Sequence, residues 1–155
     1  MKILLPSILV SLVLSGCSNF SPEIADNNFR FENFRRLQNY DIELVYLMCE
    51  NQRPVSWTSP KQFKSGAHDL WVKARFGDSE SMNLAKEAVV NFKVTLDEGK
   101  AYMLNRKITE DKDSVALWIQ ESQTGIVVSE VITEELILPP FVGNLRQQQC
   151  KSGSV

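Results

Sequence analysis

The chain has 155 residues, 43% hydrophobic and 23% charged, with a formal net charge of −2 at pH 7. That length suits one domain with a proper core. The aromatic and β-branched content excludes a disordered chain, and the mild, mixed charge excludes the basic footprint of a nucleic-acid binder.

Lys2 gives the N-terminus a positive start, and Ile3 to Leu14 are apolar except for Pro6, Ser7 and Ser11. A membrane-spanning helix needs about 20 apolar residues, so a run of about a dozen reads as the core of a signal peptide. Small residues, Ser15 and Gly16, then lead to Cys17. The sequence Leu14-Ser15-Gly16-Cys17 resembles the lipobox of bacterial lipoproteins. The resemblance implies cleavage before Cys17 and a diacylglycerol on its thiol, giving a stable anchor through two or more chains. Ser18 is not the Asp that retains such proteins in the inner membrane. In a Gram-negative cell the implied address is therefore the outer membrane, with the domain facing the periplasm. The expected organisation is a signal peptide over 1–16, a lipidated tether over 17–28 and a β-rich domain over 29–155.

Two cysteines then remain, Cys49 and Cys150. An even count in an oxidising compartment predicts a disulfide. Closing a loop of about 100 residues is worth about 4.7 kcal/mol in the chain-entropy account. Two thiols and the single histidine, His68, are too few soft ligands for four-coordinate zinc, so no metal site is expected.

From Ser18 to Asn28 the residues are mostly polar, as a tether requires. Phe29 to Leu37 fits two readings: Phe31, Phe34 and Leu37 suit a short N-terminal helix, whereas Phe29 and Phe31 suit a strand. The cluster Arg30, Arg35 and Arg36 reads as a solvated face before it reads as a headgroup contact. Ile42 to Cys49 is nearly all apolar, which predicts a central strand, and Asn51 to Pro54 breaks it. Leu70, Val72, Ala74 and Phe76 alternate with polar residues, and Gly77-Asp78-Ser79 is expected to turn the chain. Ser79 to Lys86 suits strand or loop better than one turn of helix. Val90, Phe92, Val94 and Leu96 alternate next, and Asp97 to Lys100 reads as a hairpin turn with Gly99 at positive φ. Ala101 to Arg106 returns beside it. A charged loop at 109–113 precedes a strand over Val115 to Gln120, and Gln123-Thr124-Gly125 turns into a returning strand, Ile126 to Ile132. Pro139-Pro140 cannot continue a ladder, and a short helical turn is expected over Asn144 to Gln149. With no ten-residue helical periods between strands, the fold class is all-β, mainly antiparallel: one small β-sandwich or barrel-like domain.

Ser65-Gly66-Ala67-His68-Asp69-Leu70-Trp71-Val72 resembles the strand opening of PEGA-like domains and related small β-sandwich envelope lipoproteins. Phe92 to Tyr102, with its Gly99-Lys100 turn, and Trp118-Ile119 followed by Thr124-Gly125 continue the resemblance over roughly 63–128. It implies a β-sandwich with a scaffold or interaction role in the cell envelope. It carries over no catalytic residue.

His68 has no Gly-x-Ser-x-Gly elbow to serve, and its simplest role is to fix the turn before its strand. The paired carboxylates Asp97 and Glu98, Asp111 and Asp113, and Glu134 and Glu135 read as solvated charges. No phosphate-binding or calcium loop is present. Catalytic residues and cofactors are accordingly expected to be none. Trp57, in a Pro-flanked loop, and Trp71, between Asp69 and Lys73, are the candidate partner-binding residues, since binding hot spots favour Trp. The competing reading for Trp71 is a second layer, such as Phe29 to Leu37, that covers it. The functional expectation is a non-enzymatic envelope module that binds an envelope protein or supports an assembly. The alternative is an inhibitor of a lysozyme-like or other envelope-directed hydrolase, with a charged turn near Asp97 or Lys107 as the inserted loop.

Overall fold

The computed structural model describes residues 23–39, 41–55, 60–78, 84–139 and 145–152. Cys17, Trp57 and most of the Ser79–Lys86 segment lie outside the described residues; Lys86 itself begins a strand. Among the described residues, ten strands form two sheets. The first sheet runs β10 (Ile132–Glu135), β9 (Ser114–Glu121), β8 (Ala101–Ile108), β1 (Asn28–Glu32) and β5 (Lys61–Lys64). The second runs β2 (Phe34–Gln38), β3 (Asp41–Glu50), β6 (Gly66–Asp78) and β7 (Lys86–Leu96), with the two-residue β4 (Arg53–Pro54) paired to the end of β3. All pairings are antiparallel except β1 with β8. One helix, α1 (Leu145–Ser152), follows. The molecule is the expected all-β sandwich.

The alternation read from the sequence fixes which faces meet. Leu70, Val72 and Ala74 of β6 are buried, as are Val90, Phe92 and Leu96 of β7. They pack against Phe29, Phe31, Tyr102, Leu104, Val115, Leu117 and Ile119 of the first sheet. Fully burying one such large side chain stabilises by about 1.5–3 kcal/mol, so this shared layer is the main source of cohesion.

The Phe29 to Leu37 segment is not a helix. It forms β1 and β2, because period-two burial of Phe29 and Phe31 places two large rings in the core. Asn33 is the break between them, and its side-chain Oδ1 accepts the Leu47 backbone N–H at 2.9 Å. The chain there leaves the first sheet and joins the second. Ser65 marks a similar passage from β5 to β6, with Gly66 at φ 125°, a backbone conformation that side chains disfavour. Asn51 and Gln52 both hold positive φ (46° and 63°), which makes the break after β3 a tight two-residue hairpin into β4. Gly77 does not turn the chain; β6 continues through it to Asp78. The residue is small because a Cβ there would lie 2.7 Å from the Ala85 Cβ and 2.9 Å from its Cα. The last described residues of the expected tether are tied to β5: Gln62 accepts from the Ala25 N–H and donates to the Glu23 carbonyl, both at 2.8 Å.

Candidate binding surface

Strand β9 buries Val115, Leu117 and Ile119 and turns Ala116, Trp118 and Gln120 outward. Trp118 Nε1 and Asn105 Nδ2 both donate to Gln120 Oε1 at 2.9 Å, a polar ladder on the outer face. After Glu121 the chain turns at Gly125, φ 72°, as the sequence predicts. The expected returning strand, Ile126 to Ile132, does not form. Val128 N–H still donates to the Ile119 carbonyl, but the Ile119 N–H donates to the Ser129 hydroxyl instead of to a backbone carbonyl. A serine side chain thus replaces one rung of the ladder. Only an isolated bridge between Gln120 and Val127 remains, and β10 begins at Ile132.

The consequence is an exposed apolar stripe. Ile126, Val127, Val131 (58% exposed), Ile137 and Leu138 (61%) are five of the seven large hydrophobic residues exposed among the described residues. Leu136 between them is buried. Ile137 crosses to the second sheet, where it exchanges backbone hydrogen bonds of 2.7 and 3.1 Å with Glu87 of β7. The stripe therefore follows the side of the sandwich where β10 ends one sheet and lies beside β7, the last strand of the other. Residues 126–138 contain three acids, Glu130, Glu134 and Glu135, and no basic residue. None of the three forms an ion pair among the described residues. The opposite side of the second sheet ends in β2, whose Arg35, Arg36 and Leu37 (56%) are exposed.

The residues singled out from the sequence go elsewhere. Cys49 and Cys150 lie at disulfide distance, with Cα atoms 5.9 Å apart, and join the end of β3 to α1. Trp71 sits directly across from Cys49 on the outer face of the second sheet. It is half-buried against the cluster of Met48 and the cysteine pair, on which Val89 also packs. Its cover is thus the disulfide, not the Phe29–Leu37 segment. A bulge between Leu47 and Cys49 rotates the cysteine to that outer face, which strict alternation in the sequence hides.

His68 is buried in β6. Its Nε2 lies 2.8 Å from the Lys64 carbonyl, so this nitrogen must donate. Its Nδ1 lies 3.0 Å from Glu50 Oε1, an oxygen that also accepts from the Asn51 side chain. The ring also stands edge-on to Phe29, centroids 5.0 Å apart. This is a fixed hydrogen-bonded post at one end of the sandwich. At the other end a hollow of about 400 Å³ opens between Ile42, Phe76, Leu84, Ile108 and Leu136.

Two of the carboxylates singled out from the sequence, Asp97 and Asp111, make local bonds. Lys100 pairs with Asp97 at 3.2 Å across the hairpin turn, and this hydrogen bond raises the lysine's pKa above its ordinary value. Thr109 donates its hydroxyl to Asp111 at 2.5 Å, which holds that carboxyl below its ordinary value. Among the described residues no three His, Cys, Asp or Glu side chains are grouped to hold a metal ion, and no helix is long and apolar enough to cross a membrane. In comparisons with known proteins, no family model, curated protein or solved structure matches the chain.

Proposed function

We propose that this chain is a membrane-anchored envelope lipoprotein whose β-sandwich is a non-enzymatic protein-binding or assembly module. The anchor reading rests on the short apolar run of the N-terminus and on the resemblance of Leu14-Ser15-Gly16-Cys17 to a lipobox. The outer membrane is the proposed site, with the domain on its periplasmic face, because Ser18 follows the cysteine. One observation carries the binding reading: exposed large apolar side chains are concentrated on 126–138, beside β10, the terminal strand of its sheet among the described residues. Exposed apolar surface rimmed by polar groups is the usual mark of a docking site. An edge strand adds a row of backbone N–H and C=O groups open to another chain.

Two measurements test the two halves separately. Mass spectrometry of the mature protein should find a diacylglyceryl group on Cys17; an unmodified N-terminus that retains Met1 overturns the anchor. A photo-cross-linking residue at Val131 or Leu138 of the lipidated chain should capture a discrete protein in intact cells. Capture equal to that from an exposed control position, such as Lys93, overturns the binding surface.

A further inference from the structure

We propose that copies of this chain associate head to tail, the acidic apolar stripe at 126–138 of one copy docking on the basic β2 edge of the next. The inference rests on the reading of the domain as a protein-binding or assembly module and names its occupant.

The two surfaces are complementary in three respects. Each borders the last strand of its sheet, β10 in one and β2 in the other, so each offers backbone groups outside an existing ladder. Each exposes large aliphatic side chains: Val131, Ile137 and Leu138 on the stripe, and Leu37 on β2. Their charges are opposite. Glu130, Glu134 and Glu135 face no intramolecular cation among the described residues, and Arg35 on β2 forms no ion pair there either. Arg36 donates to the side chain of Gln38 and lies 4.0 Å from Glu43, so its charge is only weakly paired.

Position decides the kind of assembly. The strand order β2-β3-β6-β7 sets β2 at one side of the second sheet, and Ile137 binds β7 at the other. Two different patches on opposite sides give a heterologous contact, which extends into a row or closes into a ring. An isologous pair would need one self-complementary patch, and like charges would face each other in it. Lipid anchors hold copies on one membrane, which raises their effective concentration and favours such a contact without strengthening it.

The test uses the mature lipidated chain in detergent micelles, followed by sedimentation at low and high salt. The wild type should form concentration-dependent species larger than a dimer that weaken as salt rises. E134R/E135R and R35E/R36E should each weaken self-association by about tenfold or more, because like charges then meet. Mixing the two variants should restore assembly, since each then presents the charge the other lacks. All four positions are exposed, and an unchanged circular dichroism spectrum verifies folding. A monomeric wild type at every soluble concentration overturns the inference, as does association that either reversal leaves intact or that mixing fails to restore. If the wild type is monomeric but Val131 captures a different protein in cells, self-association fails and the binding reading stands. If Val131 captures nothing, both fail.

Discussion

The two ends of the sandwich are built on different principles. At one end, directional bonds close the structure: His68 spans Lys64 and Glu50, the Asn51 N–H donates to the Asp69 carbonyl at 2.9 Å, and the Cys49–Cys150 pair ties β3 to α1. At the other end, a hollow lined by both apolar and charged residues lies beside Leu84, which is 69% exposed, and surface charges there pair in solvent, as with Lys86 and Asp113 at 2.7 Å; the hollow beside His68 is lined instead by the polar Glu50, Asn51, Arg53 and Lys64. Directional, buried bonds are costly to leave unmade, whereas exposed ion pairs contribute little. The first end should therefore govern global stability, and the second should tolerate change except where backbone is packed close.

The most severe challenge to this contrast is removal of the disulfide. Cys49→Ser with Cys150→Ser, measured by urea unfolding under oxidising conditions, should destabilise by about 2–5 kcal/mol. A change below about 1 kcal/mol would mean that the closed end does not depend on its covalent tie. Next comes His68→Leu, which strands the Lys64 carbonyl and leaves the Glu50 carboxylate with only its Asn51 donor, and should cost about 2–3 kcal/mol. At the open end, Gly77→Ala should cost about 1–2 kcal/mol, because the new methyl meets Ala85 backbone as well as its side chain. Lys86→Ala, a few residues away, should change stability by less than about 1 kcal/mol, since both charges of its pair are well exposed. The smallest effect is pH-dependent. The Thr109 hydroxyl lowers the folded pKa of Asp111, so its contribution is present above the ordinary carboxylate value and fades as pH falls through the lowered one. In a urea-midpoint profile, Asp111→Asn should remove that small acid slope, lowering the midpoint slightly at neutral pH and leaving it nearly unchanged at low pH, where the carboxyl is already protonated.

Much of the fold is legible along the chain. The alternations at Leu70 to Ala74 and Val90 to Leu96 name the buried face correctly, and the turns at Gly99 and Gly125 stand where the glycines announce them. The cysteine pair is legible too, from its even count. The binding surface is not. Ile126 to Ile132 carries the residue types of a strand, yet the Ser129 hydroxyl takes the hydrogen bond that would have continued the ladder. Trp71 looks like an exposed contact residue because the sequence does not say that a cysteine 101 positions away from Cys49 lies on the same face. The Phe29 to Leu37 segment fits helix and strand alike until its partners, β8 and β3, are known.

By itself, the sequence determines local periodicity, turn positions and the pairs of residue types that want burial, because these follow from backbone geometry and from the transfer of apolar groups out of water. Only the tertiary structure decides that Asn33 and Ser65 carry strands from one sheet to the other, that Ile137 closes one side against Glu87, and that the acidic stripe and the arginine edge fall on opposite sides. Those outcomes depend on contacts between residues far apart in the chain, and no local pattern encodes which distant partner satisfies a given backbone group.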